Sequence, residues 1–243
     1  MRLALLLVAC FGLASQDLTT DREAKLGSAV VEQIERTYAP VADPFVQAYL
    51  NLIGGRIAAH MGTPSKLSFT VLDNNVEKDA LAVPGGHIFV STGLILAAKS
   101  ESELAGMLAQ AMVPRPSRHV ALKGTIPLVY IGGWNGNLCL MLPAPAIEER
   151  RDIELNADKA AFAAMLRAGF DPAALVEFVA REQNADPRCP PDRATRVAAM
   201  EEAIRNLPRA THFESGDFAR VQQALRPAAA PQTKPPTLRR PQQ

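Results

Sequence analysis

Zinc chemistry on a helix needs donors at fixed spacing, because two imidazoles four residues apart lie on one face and reach the same ion. Candidate donors for a rebuilt site are scattered: His60, His87, His119, Asp158 and Cys189 lie far apart, and no two share that spacing. A site rebuilt from these five in three dimensions stays open as an alternative. Cys10, Cys139 and Cys189 are the only thiols, too few for a disulfide framework. Cys139 and Cys189 either bridge in an oxidising compartment or stand as separate buried thiols. A denser signal lies at Pro84-Gly85-Gly86, a turn flanked by the apolar runs 80–83 and 87–91. These runs read as two short strands or a hairpin.

The elements around that turn can be read from periodicity and punctuation. Thr20 to Glu23 and Ser100 to Glu103 are capping boxes, each with a hydroxyl and a carboxylate placed to satisfy orphan amides of a first turn. The first opens a helix closed by Pro40. The second opens a helix over 100–113, which Pro114 and Pro116 end. Asp43-Pro44 starts a helix running to about Met61, and 67–71 alternates with period two as a strand. Helices are also expected over 148–168, ending at Gly169 as a left-handed cap, from Asp171-Pro172 to Glu182, over 192–206 and over 217–225. Residues 120–145 are apolar but irregular, without the roughly 18 consecutive apolar residues of a membrane span.

Composition bounds the rest. The chain has 243 residues, 48% of them hydrophobic and 5% aromatic. That length can bury one full core, and so few aromatics favour closely packed helices. The expected fold class is mainly α (α+β). A net charge of +1 gives no field for nucleic acid, so no nucleic-acid partner is expected. Met1-Arg2 and the apolar run 3–9 read as an export signal. Two processing routes fit it: lipidation at Cys10, preceded by Leu7-Val8-Ala9, or cleavage after Ala14. Residues 1–16 are thus a signal, 17–225 a folded domain, and 226–243 a disordered Pro-rich basic tail.

The stretch from Ala80 to Leu94, followed by Ser102-Glu103-Leu104-Ala105-Gly106-Met107-Leu108-Ala109, resembles the zinc metallopeptidases of family 48. That family includes the HtpX, BepA-like and CAAX prenyl proteases. The lead-in helix with Tyr49, Ile53, Gly54 and Arg56 resembles it as well, as do Ala157-Asp158 and Ala168 to Pro172, so the resemblance covers about residues 20 to 205. It implies a zincin-like fold, a small sheet beside packed active-site helices, and a helical H-E-x-x-H whose glutamate is the general base. In that frame Gln110 stands at the first histidine, Ala111 at the glutamate, Pro114 at the second histidine and Asn156 at the third ligand.

The resemblance therefore implies a zinc enzyme whose ligands and base are replaced, and no cofactor is expected. The function expected is a catalytically inactive homologue that binds peptides or proteins, or regulates them, in a bacterial cell envelope. Its peptide-binding edge strand is placed at Ala82, Val83, Pro84, Gly85, Gly86, His87 and Phe89, where an extended backbone adds to the sheet. Partners are a peptide or an envelope protein, with membrane association only through an N-terminal lipid. The alternative is a metalloendopeptidase with a non-standard or rebuilt metal site.

Overall fold

The computed structural model of the protein describes residues 20–62, 67–83, 85–113, 144–182, 192–205, 207 and 213–226, with only the backbone of 20–26 and 144–150. The expected signal, the Pro-rich tail after Arg226, Cys10, Pro84, Pro114, His119, Cys139 and Cys189 lie outside these residues. Two helices lead in, α1 (Thr20–Thr37) and α2 (Pro44–Ala58). The strands β1 (Ser68–Leu72), β2 (Ala80–Val83) and β3 (His87–Ser91) follow. Next come α3 (Thr92–Ala97), α4 (Glu101–Met112), α5 (Ala144–Ala168), α6 (Pro172–Glu182), α7 (Arg193–Ile204) and α8 (Phe218–Leu225). The fold is mainly helical with one small mixed sheet, an α+β arrangement of the zincin-like kind.

Local chemistry explains most element boundaries. Asp43 caps α2 by accepting from the amides of Phe45 (2.8 Å) and Val46 (3.3 Å), with Pro44 in the first turn, the usual chemistry of a helix start. Gly169 takes φ 84° after α5, and the Phe170 amide closes onto the Met165 carbonyl at 2.8 Å, as a left-handed cap requires. Helix α2 stops at Ala58, short of the expected Met61, and passes into turns at His60 and Met61. Helix α5 starts at Ala144, ahead of the expected 148. The short α3 has no counterpart among the expected elements. Ser91 ends β3 and caps α3 at once, its hydroxyl accepting from the Leu94 amide at 3.0 Å and donating to the Glu77 carbonyl at 2.7 Å.

The sheet order is β1-β3-β2, with β3 parallel to β1 and antiparallel to β2. Both faces are covered. Phe69, Val71, Ile88 and Val90 enter the main core with α2 and α4, while Leu72, Val83 and Phe89 meet Val30 and Ile34 of α1. Gly85 and Gly86 both take positive φ, 90° and 85°. That is a conformation glycine adopts without penalty, and it makes the β2–β3 turn.

Helix α4 runs through the centre, packed against α5, α6 and α2. Every residue from Glu103 to Met112 is buried. At Gly106 a Cβ would lie 2.7 Å from the Leu175 Cβ of α6, so the two helices meet where a side chain is missing. At the start of α4 the buried Glu101 accepts from the Ser215 amide at 2.7 Å and from its hydroxyl, tying in the segment before α8. Tyr49 is buried beside it, and its hydroxyl has no hydrogen-bond partner among the described residues.

This packing can be tested by substitution. In a helix Ala normally gains about 1 kcal/mol over Gly, but Gly106→Ala drives its methyl into an atom fixed by backbone and should destabilise by about 1–3 kcal/mol. Gly55→Ala meets open space at the Cβ and should instead stabilise by about 0.5–1 kcal/mol. Urea denaturation of both variants decides whether contact or propensity wins. Burial, and then the Glu101 carboxylate, push the Tyr49 phenol far above its usual value. A raised folded-state pKa gives stability that is complete below about pH 10 and is lost as the unfolded phenol ionises above it. Tyr49→Phe should therefore hold or raise stability at neutral pH and move alkaline unfolding to higher pH, read by circular dichroism.

Candidate functional site

The last turn of α4 faces α5, and the contact is polar. Gln110 is buried, and its Nε2 donates to Glu154 Oε2 at 2.7 Å. An ionised carboxylate offers only acceptors, so the amide must present nitrogen to it. Asn156, which the resemblance puts at the third ligand, is exposed. Two residues along a helix turn the side chain by roughly 200°, so 154 and 156 cannot look at the same neighbour. The structure replaces Asn156 with Glu154 as the α5 partner of Gln110. Ala111, at the position of the general base, is 1% exposed and belongs to the apolar core.

One turn further along α5, Asp158 shares the face of Glu154. It is buried and held by Arg196 of α7 through two bonds, Nε to Oδ2 at 2.8 Å and Nη2 to Oδ1 at 2.6 Å. Burial alone would lower the Arg196 pKa. The hydrogen bond and charge of Asp158, then the charges of Glu154 and Asp79, outweigh it and raise the value, so the guanidinium stays cationic. A second bidentate pair lies at the other end of α4. Glu103 binds Arg181 of α6 at 3.0 and 2.6 Å and also accepts from the Lys99 amide at 2.7 Å. The second capping box is thus half formed, with Ser100 accepting from the Glu103 amide at 3.2 Å while the carboxylate serves Lys99 and Arg181 instead of the cap. The first rests on side chains of 20–23, outside those described.

Of the expected peptide edge, only Ala82 and Val83 lie on an edge strand. His87 and Phe89 are on β3, which has a neighbour on both sides, and this corrects their assignment. Phe89 is turned under α1, and His87 Nδ1 lies 3.0 Å from the Ser68 hydroxyl of β1. The outer edge of β1 is closed in part, since Val71 and Asp73 exchange hydrogen bonds with Val41 and Ala39, and Gln47 Nε2 donates to the Phe69 carbonyl at 2.6 Å. Edge β2 is different. The Ser91 amide donates to the Asp79 carbonyl, so alternation along the antiparallel ladder pairs Leu81 and Val83 with β3 and points Ala80 and Ala82 outward. Asp79 Oδ1 accepts from the Ala80 amide at 2.8 Å. Ala82 is left with both N–H and C=O directed away from the sheet.

A zinc centre needs at least three protein ligands. Around Gln110 the described residues supply one carboxylate, Glu154, already facing an amide N–H, and an apolar Ala111. Among the described residues no group of three His, Cys, Asp or Glu is placed to hold a metal. Both oxygens of Asp158 are engaged by Arg196, and His119 and Cys189 of the rebuilt-site alternative lie outside the described residues. The described residues do not fit the ion.

Fold and motif order together resemble those of the family 48 metallopeptidases. The model for peptidase family M48 matches residues 44–110, ending at Gln110. Similar proteins are the beta-barrel assembly-enhancing protease of Escherichia coli (strain K12), 25% identical over 188 residues, 68% of this chain and 38% of that protein, and that of Yersinia pestis, 26% identical with the same coverage. A Vibrio cholerae protein bearing the same name provisionally is 28% identical over 193 residues, 70% of this chain and 39% of its own. The chain spans less than two-fifths of the length of these curated relatives.

The buried ion pair yields a prediction of its own. Arg196→Met keeps bulk but strands the Asp158 carboxylate, and should cost about 3–5 kcal/mol. The double variant Arg196→Met with Asp158→Leu removes both charges and should recover most of that loss in urea denaturation, whereas a purely packing role for Arg196 would make the double variant the worse one.

Proposed function

We propose that this protein is a catalytically inactive metallopeptidase homologue that binds extended segments of peptides or proteins in the cell envelope. The observation that carries the reading is the Gln110–Glu154 hydrogen bond. Where an active relative needs an imidazole lone pair facing a metal, this chain sets an amide N–H against a carboxylate. Ala111 offers nothing to take a proton from water, and loss of a general base alone costs about 10²–10⁴ in rate.

Binding outlives catalysis because the strand edge does not depend on the metal. An extended segment adds to β2 through the outward groups of Ala82, with main-chain bonds giving affinity. The relatives' names refer to β-barrel assembly, and unassembled barrel strands are extended segments of this kind. The same names support an envelope location. Anchoring would come from the N-terminus, by lipid at Cys10 or not at all; among the described residues no helix is long and apolar enough to cross a membrane.

The test combines metal content, casein digestion and peptide binding by fluorescence polarisation on the full chain. Expected are less than stoichiometric zinc, no digestion, and binding of a labelled β-strand peptide that Ala82→Pro weakens at least tenfold, about 1.4 kcal/mol. Proline is tolerated where the amide faces outward on an edge strand, so the fold survives this change. Tight one-to-one zinc with chelator-sensitive digestion would instead establish the metalloendopeptidase alternative.

A further inference from the structure

Two carboxylates on the inward face of one helix need positive or donating partners, since an unpaired buried charge is among the costliest features a core can hold. Glu154, partly buried, and Asp158, buried, are such a pair on α5, one turn apart. In the arrangement here Gln110 Nε2 reaches Glu154 from α4 at 2.7 Å, and the Arg196 guanidinium grips Asp158 from α7 at 2.8 and 2.6 Å while lying in the field of Glu154. Each partner comes from a different helix, and α5 packs against both α4 and α7.

We propose that Gln110, Glu154, Asp158 and Arg196 form a metal-free clasp that joins α4, α5 and α7, with the Gln110 amide taking the structural place of a metal ion at Glu154. This rests on reading the α4–α5 layer as metal-free. An ion at this layer would draw the two helices together through ligands on each. The amide makes the same α4–α5 connection with one directed hydrogen bond, and the fixed guanidinium supplies the positive charge nearby. At 110 a glutamine then turns an N–H toward Glu154 where a metal-ligating histidine would turn a lone pair toward the ion.

The two groups of the bond can be exchanged, which separates its polarity from its packing. Thermal midpoints are measured in EDTA for the full chain and for Gln110→Glu, Glu154→Gln and the double exchange Gln110→Glu with Glu154→Gln. Gln110→Glu keeps the shape but faces one carboxylate with another, and should lower the midpoint by about 5 °C or more. The double exchange restores an amide–carboxylate pair in reverse and should recover most of that fall. A double exchange no more stable than Gln110→Glu, or a Gln110→Glu variant as stable as the parent, overturns the clasp. A separate arm compares the unsubstituted chain with and without EDTA and with added zinc chloride, and no shift is expected in either. A fall in EDTA or a rise with zinc overturns the metal-free reading itself, whatever the exchange shows.

Discussion

A helix buried on every side has no water to serve its polar side chains, and α4 is such a helix. From Glu103 to Met112 each residue is enclosed, so every polar group on it must find a protein partner. Glu101 takes Ser215, Glu103 takes Arg181 and the Lys99 amide, and Gln110 takes Glu154. These contacts run from one end of the helix to the other and reach α5, α6 and the segment before α8. The apolar flank between them is fitted to its neighbours at Gly106. Hydrophobic burial brings the helices together, and the obligation to satisfy the few polar groups fixes their rotation and register.

Much of this was legible in the chain. Asp43-Pro44, Ser100 and Gly169 mark helix ends by local chemistry that tertiary context leaves unchanged, and the β2–β3 hairpin announces itself through two adjacent glycines. What failed to show was anything set by phase or by distant pairing. Motif alignment put a lost ligand at Asn156, but the phase of a 25-residue helix against its neighbour decides which side chain looks inward. A sharper signal was present: Glu154 and Asp158 are four apart and define an acidic face, whereas Asn156 is not on it. Likewise no local turn reports that β1 lies parallel beside β3, so His87 and Phe89 read as edge residues when they are central. Helix α3 was missed because six residues with a glycine second carry too short a pattern to separate from the strand before them.

The polar layer between α4 and α5 and the scaffold around it rest on different interactions. Family resemblance resides in the sheet, the hairpin turn and the burial of α4, none of which needs a catalytic residue. The match to the family model ends at Gln110, near the C-terminal end of α4. Change there leaves the core cluster of Leu104, Leu108, Met165 and Leu175 intact. Scaffold and polar layer are therefore held by separate interactions in this chain.

The asymmetry of the sheet has a consequence for assembly. One margin of the three-stranded sheet is closed in part by residues 39–41 and Gln47, and among the described residues the other carries outward main-chain groups at Ala82. A sheet with two open margins can be extended from both sides and so propagate into a filament. Partial closure of the β1 margin disfavours extension there, so a docking strand, or a second copy meeting it about a two-fold, is directed to the β2 margin.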